Sequence, residues 1–247
     1  MTLTTEQCLD AISRYSREFA TAARGNLSAR VEHCPDWSVA DLVRHLTDVH
    51  WFWGTIAEGT LSEPPDESLR PAHADDDGLV AAFESGAARL VEVLAAADQS
   101  ASCWTWFPGQ QDVAFITRHQ VQEAAVHAWD AVNAAGGGLD IDPTVAADSV
   151  DEFLTTSLAD ESDAAEADLV PLEGTFGLRA TDTGDAWTVD DGSVPGAMTM
   201  TRGGTEGAPV LEARAADLLL WLYSRTELDG DVPADLLARF RGLSSTD

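Results

Sequence analysis

The sequence predicts a bundle of four helices followed by a small α+β domain. Two observations carry that expectation. Apolar residues recur at three- and four-residue steps through the first half of the 247-residue chain. After an acidic stretch from Asp160 to Asp168 the period changes to 2. The expected partition is a helical bundle over 1–160 and a small α+β domain over 168–247, the acidic stretch forming the boundary.

The first helix spans Thr4 to Ala23, with Leu9, Ile12, Tyr15, Phe19 and Ala22 on one stripe, and Gly25-Asn26 ends it. Ser38 caps a second helix whose third residue is Asp41, a variant of the capping box, and that helix runs to about Glu58. A loop rich in Pro and acid, Ser62 to Asp77, leads to a third helix over Gly78–Ala97, with Leu79, Phe83, Ala87, Leu90, Val91 and Leu94 inward. Trp104-Thr105-Trp106-Phe107-Pro108-Gly109 reads as an aromatic loop, and a fourth helix from about Val113 to Ala135 stops at Gly136-Gly137-Gly138. Pro143 opens a fifth helix through about Leu158. Strands follow at Leu172–Ala180, Ala186–Val189, Ala197–Thr201 and Pro209–Ala213, separated by Gly-containing turns. Two short helices, Ala215–Ser224 and Pro233–Phe240, close the chain.

Composition excludes whole classes of partner. The chain holds 43 acidic residues against 14 basic ones, every basic residue is Arg, and the formal net charge is −29. Nucleic acid and anionic membrane surfaces are bound through Lys/Arg neutralisation, so neither suits this field. Hydrophobic residues make up 45% of the chain, too many for a disordered acidic tail. The start, Met1-Thr2-Leu3-Thr4-Thr5-Glu6, lacks the basic and apolar segments of a secretion signal, and no run of about eighteen apolar residues occurs. The expectation is a soluble cytoplasmic protein. Cys8, Cys34 and Cys103 are scattered and odd in number, so reduced thiols are expected. An acidic chain without Lys fits a GC-rich genome or a high-salt environment, and neither is a function.

Chemistry concentrates on helices two and four. On a wheel of 100° per residue, Leu42, Leu46, Val49, Trp53 and Ile56 define the core direction of helix two. His45 falls inside that sector and His50 at its margin. On helix four, Ile116, Gln120, Glu123, His127 and Asp130 share a face, with Glu123 and His127 one turn apart. A carboxylate and an imidazole on one helix, with an imidazole directed inward from another, form the donor set of a three-ligand catalytic metal site. The same spacing also describes a surface ion pair beside a core histidine. Asp130 reads either as the acceptor that orients a ligand imidazole or as a solvated charge. His119 reads as structural, and His33 and His73 as surface loop residues.

These residues also carry a family resemblance. The segment Cys34-Pro35-Asp36-Trp37-Ser38-Val39-Ala40-Asp41-Leu42-Val43-Arg44-His45-Leu46 resembles the start of helix two in the mycothiol-dependent maleylpyruvate isomerase family, a branch of the DinB-like bundles. Arg118 and the run Glu123-Ala124-Ala125-Val126-His127-Ala128-Trp129-Asp130 resemble its second metal motif. Leu178–Gly184, Trp187-Thr188-Val189 and Ala215–Leu222 are similar to its C-terminal domain, which is related to sterol carrier proteins.

The resemblance implies zinc, or another divalent metal, held by His45, Glu123 and His127, with mycothiol as thiol cosubstrate and a small electrophile as substrate. It also implies that Arg225 corresponds to the arginine by which the C-terminal domain meets an acidic substrate; Arg179 and Arg214 are alternatives, and a plain helix-end cation is another reading of Arg225. The activity implied is cis–trans isomerisation. A mycothiol S-transferase would use the same metal chemistry, and a non-enzymatic metal-binding or regulatory module would keep only the bundle. The net charge tilts slightly against a dianionic substrate, although local Arg and a metal reverse the sign within a screening length of about 8 Å.

Overall fold

The computed structural model describes residues 2–166 and 169–244. Met1, and Ala167 and Asp168, the last residues of the expected linker, lie outside the described residues. Helices α1 (Thr5–Ala23), α2 (Val39–Gly59), α3 (Asp76–Ala96), α4 (Val113–Ala134) and α5 (Pro143–Thr156) come first, followed by a short α6 (Glu161–Glu166). Strands β1 (Thr175–Ala180), β2 (Ala186–Asp191), β3 (Met198–Arg202) and β4 (Val210–Ala213) precede α7 (Ala215–Leu222) and α8 (Ala234–Gly242). The fold class is therefore the expected mixture of a helical bundle and a small α+β part. The acidic stretch, expected as linker only, forms α6 over its first residues. No helix among the described residues is long and apolar enough to cross a membrane.

The chain divides into two compact units, Thr2–Ile141 and one that starts at Asp142. In the first, α1 packs on α4 and α3, and α2 on α3 and α4. Local chemistry fixes the ends of these helices. Thr4 and Gln7 form a reciprocal capping box on α1, and Ser38 and Asp41 do the same on α2, where Asp41 Oδ2 accepts from the Ser38 N–H at 3.0 Å. Such a cap contributes about 1 kcal/mol and sets where α2 begins, which fixes the register of every residue after it. The core holds Tyr15, Phe19, Leu42, Leu46, Ile56, Phe83 and Leu90, all fully buried.

The second unit begins earlier than the boundary expected at the acidic stretch, because α5 packs on α7. Asp142 caps α5 by accepting from the Thr144 and Val145 N–H groups, and Pro143 occupies its first turn. The helix is buried continuously from Val145 to Leu154, including Asp148, Asp151 and Glu152. The sheet order is β3-β2-β1-β4, with β1 antiparallel to β2 and parallel to β4. Phe176 and Trp221 both pack against Phe240 of α8, at centroid distances of 5.2 and 5.7 Å, and Arg241 lies over the Trp221 ring.

Candidate metal centre

The turn before α2 sets one side of the site. The Trp37 N–H donates to the Cys34 carbonyl at 2.8 Å, and the Val39 and Ala40 N–H groups donate to the Ala29 and Leu27 carbonyls. This ties the segment before α2 to the start of the helix and brings the Trp37 ring to 4.9 Å from His45. Two turns into α2, His45 faces α4, where its ring meets His127 edge-on with centroids 5.1 Å apart.

On α4 the sequence places His119, Glu123 and His127 at successive turns. His127 Nδ1 lies 3.1 Å from Asp130 Oδ2, and Asp130 is only 2% exposed. An ionised carboxylate only accepts, so Nδ1 carries the proton of that bond, and Nε2 is turned toward Glu123 Oε2 at 3.5 Å. The structure thus gives Asp130 the orienting position and not that of a solvated charge. One donor atom from each of His45, Glu123 and His127 lies within 4.8 Å of the other two. Ligand atoms of a tetrahedral zinc site stand roughly 3.5 Å apart, since each bond is about 2.1 Å, so small rotamer changes would close this triad on an ion. Glu123 Oε2 is buried and accepts no hydrogen bond, a vacancy of the kind a cation fills. The donor set of two imidazoles and one carboxylate fits a divalent metal of the zinc type.

The electrostatics agree with the geometry. Burial alone would raise the Glu123 carboxyl, but attraction to His127, with smaller contributions from His119 and His45, holds it down at about 2. Burial likewise works against a charged His127, yet the hydrogen bond to Asp130 and the nearby Glu123 carboxylate lift it to about 9. At 3.5 Å the His127–Glu123 contact is too long for a well-formed N–H···O bond and acts mainly as an ion pair. Glu123 is therefore an anion across the physiological range, held where two imidazoles converge.

Two histidines differ from their sequence expectation. His50, expected at the margin, is the deeper of the α2 pair at 2% exposure, whereas His45 is only partly buried. The reason is that α2 is covered on both flanks: His45 looks toward α4, and His50 lies against α3 with its ring stacked on Phe83 at 5.3 Å. A wheel gives direction but not the depth of the neighbour. His119 is buried, as a structural residue should be, stacked on Phe115 and edge-on to Trp53 and the exposed Trp106, and its Nε2 is also 3.8 Å from Glu123 Oε1. Its spacing of four residues before Glu123, the same as that from Glu123 to His127, was the available signal. His73 is exposed and bonded to Asp48, and His33 is half-buried beside Trp129.

Burial lowers His50 to about 4, the neighbouring Glu123 opposing that shift only in part. The unfolded chain takes up the proton near pH 6.5 and the folded one only near 4, so this residue's contribution to stability is complete above pH 6.5 and is lost as pH falls toward 4. Urea unfolding at pH 7 and 4.5 should show a loss on acidification about 2 kcal/mol smaller in His50→Leu than in the parent. Equal losses in the two proteins would refute the assignment.

Arg225 lies in the second unit just after α7, where its Nη1 donates to the Tyr223 carbonyl at 2.7 Å. Of the alternatives, Arg179 is tied to Glu212 and Thr205, and Arg214 lies 3.9 Å from Asp182.

Comparison with known proteins follows the same residues. The profile of the mycothiol maleylpyruvate isomerase N-terminal domain matches residues 9–132, a span that includes His45, Glu123 and His127. An uncharacterized protein of Mycobacterium tuberculosis, in strains CDC 1551 / Oshkosh and ATCC 25618 / H37Rv, is 30% identical over 113 residues, which are 46% of this chain and 57% of that protein. The chain thus spans little more than half the length of those relatives. The crystal structure of the mycothiol-dependent maleylpyruvate isomerase superposes with a TM-score of 0.59 at 14% identity, covering 94% of this chain and 98% of that one. A histidine-to-alanine mutant of that enzyme gives 0.61 at 13% identity with the same coverage. At such identities the likeness is one of fold, and it extends over both units. The profile match supplies the kinship: this chain belongs to the mycothiol maleylpyruvate isomerase N-terminal domain family.

Proposed function

We propose that this chain is a zinc-dependent, mycothiol-dependent enzyme that activates a thiol for addition to an electrophile, in the cis–trans isomerisation of maleylpyruvate. The observation that carries the reading is the convergence of His45, Glu123 and His127 within 4.8 Å in a member of this family. The three side chains would hold the metal. When bound there, a divalent ion lowers the pKa of a thiol and stabilises it as thiolate at neutral pH.

The chain's own residues prepare that chemistry. Asp130 fixes the His127 ring so that Nε2 faces the site, and Glu123 brings the negative charge that a cation requires. Trp37 packs on His45 and limits its rotamers. The aromatic rings around His119 lie beside Glu123 and would offer the reacting thiol an apolar wall. In the reaction, the thiolate forms a C–S bond to one alkene carbon, and the π electrons move to the conjugated carbonyl as an enolate. Rotation follows about what is now a single bond. The enolate then re-forms the double bond in the trans geometry and expels the thiolate, so no thiol is consumed. Arg225 would hold the acidic end of the substrate. The cytoplasm, where small thiols are kept reduced, is the compartment this chemistry requires.

Incubating the zinc-loaded protein with mycothiol and maleylpyruvate should convert the substrate to fumarylpyruvate with the thiol concentration unchanged. A stable conjugate with stoichiometric loss of thiol would identify a transferase instead, and no turnover of either kind would leave a non-enzymatic module. In the same assay Arg225→Ala should raise KM about tenfold or more, the loss of one charge-assisted hydrogen bond, with metal content unchanged. An unaltered KM would remove Arg225 from the site.

A further inference from the structure

We infer that a cleft between α2 and α3 is a second binding site for a small neutral aromatic molecule carrying one hydroxyl or ring N–H. The cleft measures about 380 Å³ and is roofed by the loop from Arg70 to Ala74. That volume lies in the range of small-molecule sites and suits one or two rings. Trp51 and Gly54 of α2 and Leu79, Gly86, Leu90 and Val93 of α3 make a largely apolar wall. Gly54 and Gly86 leave space on both helices: a Cβ at Gly86 would meet nothing within 4 Å, and one at Gly54 only Leu90 Cδ1 at 3.6 Å.

The rim and His50 define the ligand. At the rim Arg70 pairs with Asp48 and Glu67, His73 with the same Asp48 at 2.8 Å, and Arg89 with Glu58. Both rim arginines already have a carboxylate, so a carboxylate or ammonium ligand would have to break an existing pair on entering. His50 lines the cleft, 2% exposed, with both ring nitrogens covered by the surrounding wall and neither hydrogen-bonded. An unsatisfied buried polar group costs about 1–3 kcal/mol, and a turn of the ring toward a partner in the cleft would recover part of it. Burial keeps this imidazole neutral at pH 7, and a neutral imidazole offers one donor and one acceptor. A hydroxyl, itself donor and acceptor, complements it, whereas an ion gains no opposite charge from it. The inference stands on this cleft alone and does not depend on the thiol chemistry proposed for the metal triad.

The test is ¹⁹F NMR titration of the full-length, zinc-loaded protein with 4-fluorophenol, fluorobenzene and 4-fluorobenzoate. Expected is saturable binding of one 4-fluorophenol, at least tenfold tighter than either other probe. Gly86→Phe, which fills the open space, should abolish it, while Gly86→Ala retains it. His50→Leu should reduce the affinity for 4-fluorophenol to that for fluorobenzene. Far-UV circular dichroism of each variant verifies folding, and the Gly86→Ala protein keeps the comparison decisive if Gly86→Phe fails to fold, because His50→Leu then carries the specificity test. Binding of 4-fluorophenol that survives Gly86→Phe, no preference over fluorobenzene, tighter binding of 4-fluorobenzoate, or no saturable binding at all would each overturn the proposal.

Discussion

Glu123→Ala is expected to abolish stoichiometric zinc binding and, with it, thiol-dependent turnover. The substitution removes the anionic member of the triad and leaves two imidazoles, one ligand short of a three-ligand site and without the negative charge that offsets a divalent cation. His127→Ala and His45→Ala should behave alike, each lowering metal affinity by more than the roughly 10–100-fold that loss of an outer partner costs. Asp130→Asn provides that smaller comparison: it keeps a hydrogen-bond acceptor beside His127 Nδ1 but no charge, and its affinity should fall within the roughly 10–100-fold range. Metal content by elemental analysis, with competition against a chromogenic chelator, orders the four variants. Undiminished zinc in either His variant would dismantle the proposed site, whatever happens to activity.

The second large effect concerns stability. Asp151 of α5 is 5% exposed and accepts from Arg202 Nε and Nη2, each at 2.5 Å, and from Trp187 Nε1 at 3.0 Å. Asp151→Ala therefore strands the indole N–H of a buried Trp and releases the guanidinium, and it opens space inside the second unit. Losing a buried ion-pair partner costs about 3–5 kcal/mol. The Arg202 side chain is 63% exposed, however, and water can solvate it after the change. The expected loss is accordingly about 2–3 kcal/mol. Asp151→Asn, which still accepts from Trp187, should lose about half as much. Denaturant unfolding followed by circular dichroism measures both, and a loss below about 1 kcal/mol for the alanine variant would show that the contact contributes little.

The sequence was most informative where one helix or one strand contains the whole pattern. Every helix of the bundle was legible from its apolar stripe, α2 also from its Ser38 cap, and the four strands from their period and turns. Glu123 and His127 were legible as a pair because four residues on α4 are one turn. What the wheel could not supply was depth. It placed His45 in the core sector and His50 at its margin, and burial reversed the two because α3 covers its flank of α2 more extensively than α4 covers the other. It could not tell an orienting Asp130 from a solvated one, since the choice depends on a rotamer and on what covers the carboxylate.

The boundary shows the same division. A composition shift at Asp160–Asp168 was visible, but nothing along the chain said that α5 would pack on α7. Its ten consecutive buried positions, Val145 to Leu154, include three acids, and the partner of one of them, Arg202 against Asp151, lies about fifty residues further along the chain. The sequence by itself determined the order of the main helices and strands, the capped start of α2, the absence of a polyanion-binding charge pattern and half of the metal-type triad. The tertiary structure decided that His45 meets that half, which α5 belongs to which unit, and which histidine is buried. Helical period and capping are local and act within a few residues, whereas distances between helices follow from how separate apolar faces pack together.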